Sequence, residues 1–179
     1  MKLFFTYSYG IIYTAITISF KEERTVRING IINDSIVDGE GIRLTVFTQG
    51  CPHHCNGCHN PQTWDFNGGY DISIDEIVNI YRENALLDGI TLSGGEPLMP
   101  ERYPELIKLF KEIKKMGGNI WVYTGFIWED LCQKEINNKV FDELKDLIDV
   151  VVDGPFILEL KDLSLKFRGS QNQRIIQKG

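Results

Sequence analysis

Basic runs are missing from this chain of 179 residues, in which 19 Lys and Arg face 25 Asp and Glu for a net charge of -6. No segment interleaves cations with aromatics, so the electrostatic footprint of a nucleic-acid binder is absent and nucleic acid is not expected as a partner. Internal repeats, low-complexity tracts and linker-like stretches are also lacking, which leaves no basis for a second domain. Cysteine and histidine are scarce, at four and three residues. A disulfide framework would spread its cysteines, but Cys51, Cys55 and Cys58 lie within one short loop and Cys132 stands alone far downstream. A reducing, cytoplasmic setting and a metal site follow.

The first 20 residues (MKLFFTYSYGIIYTAITISF) are apolar and aromatic, and the charged stretch Lys21 to Arg24 follows them. Thr6, Ser8, Tyr9, Thr14, Thr17 and Ser19 interrupt the apolar run, and no clean small-residue cleavage site is present, so neither export nor a membrane anchor is expected. Residues 1–25 are read as an extension, with a downstream start near Val26 favoured, and residues 26–179 as one domain.

From there the pattern alternates. Arg43 to Thr48 (RLTVFT) reads as a strand ending at Gly50 and the cysteines. Ser73-Ile74-Asp75-Glu76 has the capping-box form, and Ile74, Ile77, Val78 and Tyr81 recur at helical spacing behind it. Gly89 to Leu92 is the next expected strand, running into the turn Ser93-Gly94-Gly95-Glu96-Pro97. Leu106, Leu109, Phe110 and Ile113 mark a second amphipathic helix closed by Gly117-Gly118. Asn119 to Tyr123 is a strand, part of 127–147 is helical, and Ile148 to Val152 is a buried-type strand before Asp153-Gly154-Pro155. The tail has no clear period. Such alternation predicts an α/β fold with a mainly parallel sheet, whose chemistry gathers at the C-terminal ends of the strands. The cysteine loop and the Ser93–Pro97 turn both fall at such ends.

The cysteine loop, Gly50-Cys51-Pro52-His53-His54-Cys55-Asn56-Gly57-Cys58-His59-Asn60, carries a C-x3-C-x2-C spacing. Three thiolates can hold three corners of a cubane and leave one iron with an open coordination position, since such clusters ordinarily take four cysteines. The competing reading is a structural zinc site of Cys3His type, because all three histidines, His53, His54 and His59, flank these cysteines. Zinc modules of that kind draw ligands from two knuckles, and no second knuckle is present. Cys132, on a helical segment, reads as a small buried hydrophobe.

Beyond the loop, Asp38-Gly39-Glu40-Gly41, Thr63-Trp64, Ser93 to Pro97, Trp121 to Gly125, Val151 to Pro155 and Arg168-Gly169-Ser170 complete a pattern. Together these segments resemble the radical S-adenosylmethionine (SAM) superfamily, and within it the activating proteins of anaerobic (class III) ribonucleoside-triphosphate reductase. The resemblance runs from about Arg27 to the C-terminus. It implies an incomplete β/α barrel, and a 4Fe-4S cluster held by Cys51, Cys55 and Cys58 whose open iron binds SAM. It also implies reductive cleavage of SAM to methionine and a 5'-deoxyadenosyl radical, which takes a hydrogen from a glycine of the partner reductase. Gly57, Cys58, His59, Gly94, Gly95 and Glu96 match the stretches that touch SAM in that family, and an external one-electron donor such as a flavodoxin or ferredoxin is implied. No acid, base or nucleophile is required; the protein positions the cofactor.

Two further readings stay open. The same chemistry could serve another glycyl-radical enzyme of the formate-lyase kind, or the loop could be a zinc interaction module. Trp64 and Trp121 read as packing residues, Asp153-Gly154 as a turn, and Arg168, Ser170, Gln171 and Asn172 as either ligand contacts or a solvated tail.

Overall fold

The computed structural model describes residues 24–177, so the expected extension at residues 1–25 lies almost wholly outside the described residues. Among the described residues seven strands form one sheet, in the order β3-β1-β2-β4-β5-β6-β7. Its centre is parallel: β2 (Arg43–Thr48), β4 (Gly89–Gly94), β5 (Asn119–Tyr123) and β6 (Val150–Asp153) run in one direction. Its edges are antiparallel, with β1 (Thr25–Ser35) and β3 (Tyr70–Ser73) beyond β2, and β7 (Arg174–Gln177) beyond β6. The fold is mixed α/β, and the expected parallel sheet is its central half.

The crossovers are helical. α1 (Ile74–Glu83) begins at the expected capping box, where Ser73 Oγ accepts the amide of Glu76 at 3.1 Å. α2 (Tyr103–Lys115) packs between α1 and α4 (Lys139–Leu147). The helical region expected within 127–147 is two helices, α3 (Trp128–Lys134) and α4, because Asn137 adopts a positive φ of 67° and Asn138 caps α4 through the amides of Val140 and Phe141.

Side chains alternate across each strand. Leu44, Val46, Ile90, Leu92, Ile120, Val122 and Val151 join Leu106, Leu109, Phe110 and Ile113 of α2 in the main core. The opposite face carries Arg43, Thr45, Thr91, Trp121, Val150 and Val152, all buried, and is covered by Phe167 and Ile175 from the tail. Among the described residues no carboxylate forms an ion pair with Arg43. Its guanidinium donates to Thr91 Oγ1, to the carbonyls of Glu40, Ile90 and Asn119 and to the Asn119 side chain, and lies over the Trp121 ring. Burial lowers its pKa to about 10.

Candidate functional site

β2 ends at Thr48, and the chain turns at Gly50, whose φ is +90°. The next residues are tied to the segment behind them. Gly50 donates to Thr63 O at 2.7 Å, Cys51 to Trp64 O at 3.2 Å, and Thr63 Oγ1 to Asn60 O at 2.7 Å. Gln49, almost completely buried, donates through Nε2 to the carbonyls of Gln62 and Asp65. The loop is thus closed on itself from Gln49 to Asp65 by hydrogen bonds that pair these backbone groups and the Gln49 amide.

Cys51, Cys55 and Cys58 border one cavity of about 380 Å³, together with His59, Gly94, Gly95, Tyr123, Gly154, Phe156 and Arg168. It lies at the C-terminal ends of β2, β4, β5 and β6, the edge at which the sequence places the chemistry. Burial raises the Cys51 thiol pKa, while the nearby backbone amides of His53 and His54 act the other way. The amide of Asn60 donates to Cys58 Sγ at 3.4 Å. Amides turned toward sulfur favour the thiolate, the form that binds metal.

Among the described residues, no three His, Cys, Asp or Glu side chains converge as the ligands of a single ion must. Ligands of a cluster bind separate irons and stand farther apart than the four donors around one zinc. Each histidine ring is also engaged. His54 stacks on Trp64 with planes 7° apart, His59 lies against Phe156 with centroids 5.2 Å apart, and His53 packs edge-on against Phe126 and bonds to Glu96.

Two of the expected cofactor contacts do not border the cavity. Gly57, with a φ of +74°, turns its α-carbon toward Leu158. Glu96 is completely buried, and its two carboxylate oxygens accept four hydrogen bonds from the protein. Gly94 and Gly95 do border the cavity. The physical demand for glycine at both comes from β2 and its loop: a Cβ on Gly94 would lie 2.8 Å from Phe47 Cα, and one on Gly95 2.5 Å from Gly50 O.

The tail is not a solvated one. Ser170 is fully buried and accepts the amide of Ile157, and Gln173 receives the amides of Gly169 and Ser170 while donating to Gly154 O. These bonds make 167–169 one wall of the cavity. Trp121 is a core residue, as its type suggests. Gln49 and Gln173 were not singled out from the sequence, since a glutamine in a loop carries no periodic or spacing signal.

Residues 37–176 match the family model of a 4Fe-4S single cluster domain. The anaerobic ribonucleoside-triphosphate reductase-activating protein of Escherichia coli (strain K12) is 42% identical over 144 residues, covering 77% of this chain and 90% of that protein. The chain belongs to this family. The activating proteins of Haemophilus influenzae (36% over 146 residues; 78% and 90% covered) and Enterobacteria phage T4 (34% over 143 residues; 78% and 86%) are similar to it as well. A 4Fe-4S domain decides the choice that the cysteine spacing leaves open, in favour of a cluster over zinc. Among solved structures, QueE from Escherichia coli superposes with a TM-score of 0.43 at 18% identity over 56% of this chain and 53% of that one, too distant to bear on the site.

Proposed function

We propose that this protein activates an anaerobic ribonucleoside-triphosphate reductase by installing a glycyl radical on it, using SAM, a 4Fe-4S cluster and an external one-electron donor such as a flavodoxin or ferredoxin. The observation that carries this reading is the convergence of the three thiols of the C-x3-C-x2-C loop with Gly94 and Gly95 on one cavity at the sheet's C-terminal edge. It is supported by relatives, up to 42% identical over most of both chains, that are activating proteins of anaerobic ribonucleoside-triphosphate reductase.

The residues present fit the cluster and SAM. Cys51, Cys55 and Cys58 are assigned as the ligands, with the backbone amide of Asn60 donating to the sulfur of Cys58. When bound, the cluster and SAM supply one-electron reductive cleavage to a carbon-centred radical able to take a hydrogen atom from a glycine. His59, Cys58, Gly94 and Gly95 border the space left for SAM, and Gly57 shapes the loop behind them. Phe156 and Phe167 line the same space and give it an apolar wall.

Residues 26–179 are assigned to a single domain, with residues 1–25 an extension of it. The four parallel strands with antiparallel edges are read as an incomplete barrel, whose open side admits a glycine-bearing loop of the reductase. The cytoplasm is the compartment that keeps such a cluster reduced. Among the described residues no helix is long and apolar enough to cross a membrane.

The deciding experiment is anaerobic electron paramagnetic resonance of the reconstituted protein with SAM, a reductant and the anaerobic reductase of the same organism. A glycyl-radical signal that requires all components is expected. A reduced-cluster spectrum that shifts on adding SAM, with no glycyl radical, would move the target to another glycyl-radical enzyme.

A further inference from the structure

Glu96 is a charged side chain with none of its surface exposed, at a position where the sequence leads one to expect a ligand contact. Its Oε1 accepts the amide of Leu98 at 2.9 Å and Thr124 Oγ1 at 2.9 Å. Its Oε2 accepts the amide of Gly125 at 2.8 Å and meets His53 Nε2 at 2.8 Å. An ionised carboxylate only accepts, so the proton on this contact sits on Nε2, and His53 donates it. Four donors on two oxygens leave the carboxylate no capacity for a ligand ammonium group.

The backbone of Glu96 is equally committed. Its amide donates to Gly50 O at 2.9 Å, and its carbonyl accepts from Arg102, whose guanidinium also donates to Gln49 O. Arg102 is itself buried, and burial lowers its pKa. One residue therefore ties the start of the cysteine loop (Gln49, Gly50, His53) to the exit of β5 (Thr124, Gly125), with an arginine holding it from behind.

Gly125 fits the same arrangement. A Cβ there would lie 2.4 Å from the His53 ring, so only glycine lets that ring reach the carboxylate alongside the Gly125 amide. Gly50, whose carbonyl accepts the Glu96 amide, directly precedes Cys51, and His53 follows it by two residues. Holding Gly50 and the His53 ring therefore restrains the chain on both sides of Cys51.

We propose that Glu96, acting through His53 and seated by Gly125, is a positioning residue that clamps the cysteine loop so that Cys51 is presented in its ligating geometry, and that its carboxylate does not contact SAM. This rests on the assignment of Cys51, Cys55 and Cys58 as cluster ligands. Glu96→Gln keeps one accepting oxygen but puts an NH2 group against two donors, which leaves buried hydrogen bonds unmade. His53→Ala and Gly125→Ala break the same link without altering the carboxylate.

The test has two parts, of which the first needs no cofactor. In the anaerobic apo-protein, the alkylation rate of each thiol is read by peptide mapping. All three variants are expected to raise the Cys51 rate about tenfold while leaving Cys132 at its wild-type rate, the signature of a local opening rather than global unfolding. In the second part, iron and sulfide per chain after reconstitution, and the SAM dissociation constant of the loaded fraction, are measured. Cluster content is expected to fall in all three variants, with SAM affinity of the loaded fraction unchanged. Wild-type Cys51 protection and full cluster content in Glu96→Gln, with SAM affinity lost, would overturn the proposal and make Glu96 a ligand contact. So would equal acceleration at Cys132, which would mean that Glu96 supports the whole fold rather than the loop. If the wild-type chain takes up no iron, the activase reading fails while Cys51 protection still decides the clamp.

Discussion

Arg174, on the last strand, closes on Asp153 at the end of β6: its Nε donates to Asp153 Oδ1 at 3.0 Å and its Nη2 to Oδ2. Asp153 is completely buried and also receives the amide of Trp128, which caps the start of α3. The Asp153 carboxylate thus joins β6, β7 and α3 directly beside Gly154 on the cavity wall. Arg174→Leu leaves a buried carboxylate short of two donors. Because the arginine is half-exposed and water can partly replace it, a loss of about 1–3 kcal/mol is expected rather than the larger cost of a fully buried pair. Thermal unfolding reads this as a drop of several degrees, and an unchanged midpoint would show the pair to be dispensable.

Cys51→Ala, Cys55→Ala and Cys58→Ala are each expected to abolish cluster retention and SAM cleavage. Cys132→Ala is expected to keep both, because Cys132 packs against the main core away from the cavity. Iron and sulfide analysis of anaerobic preparations checks this. Loss of the cluster in Cys132→Ala would mean a fourth ligand, and hence no open iron.

Air is expected to bleach the cluster. Cys55 and Cys58 are only partly buried, and an open cavity reaches them, so oxygen has access to any iron held there. Visible absorbance followed during aeration is the measurement, and stability over hours in air would count against a solvent-reachable cluster.

Gly95→Ala is expected to destabilise the protein by about 1–3 kcal/mol, because the new methyl would press on Gly50 O and Thr48 O. Gly30→Ala, in β1 with nothing within 4 Å, is the control and should be neutral or stabilising by up to about 1 kcal/mol. Denaturant midpoints of the two variants give the comparison.

Alkaline pH should unfold the protein early. Burial raises the phenol pKa values of Tyr81, Tyr103 and Tyr123 above the ordinary 10.0. The unfolded chain releases these protons first, so the associated stability is complete below pH 10 and falls as pH rises through the folded-state values. Phenolate absorbance should therefore appear together with the unfolding transition. Tyr103→Phe, which removes a buried hydroxyl donating to Leu98 O at 3.3 Å, should flatten the decline. Ionisation of all seven tyrosines well before unfolding would contradict this reading.

The central strands and their helices were legible because each carries a periodic signal of its own. β2, β5, the Ser73 capping box of α1 and the apolar stripe of α2 can be read directly from residue spacing. The edges were not. β1 contains Asn29, Gly30 and Asn33, and irregular pairing between Ile28 and Gly30 and between Ile32 and Ser35 breaks its alternation; β3 and β7 are four residues each, too short to show a period. Their antiparallel pairing depends on partners far away in the chain.

Sequence alone brought the three candidate ligand thiols together, because three thiols within eight residues are confined to one loop by covalent geometry whatever the rest of the chain does. Tertiary structure alone decided the role of Glu96. A carboxylate after two glycines is compatible with binding an ammonium group or with bracing a loop. The difference lies in whether Thr124, Gly125 and His53, 28, 29 and 43 residues away in sequence, arrive within hydrogen-bond reach of its oxygens. That is set by the register of β4 beside β2 and β5, and no local pattern records it.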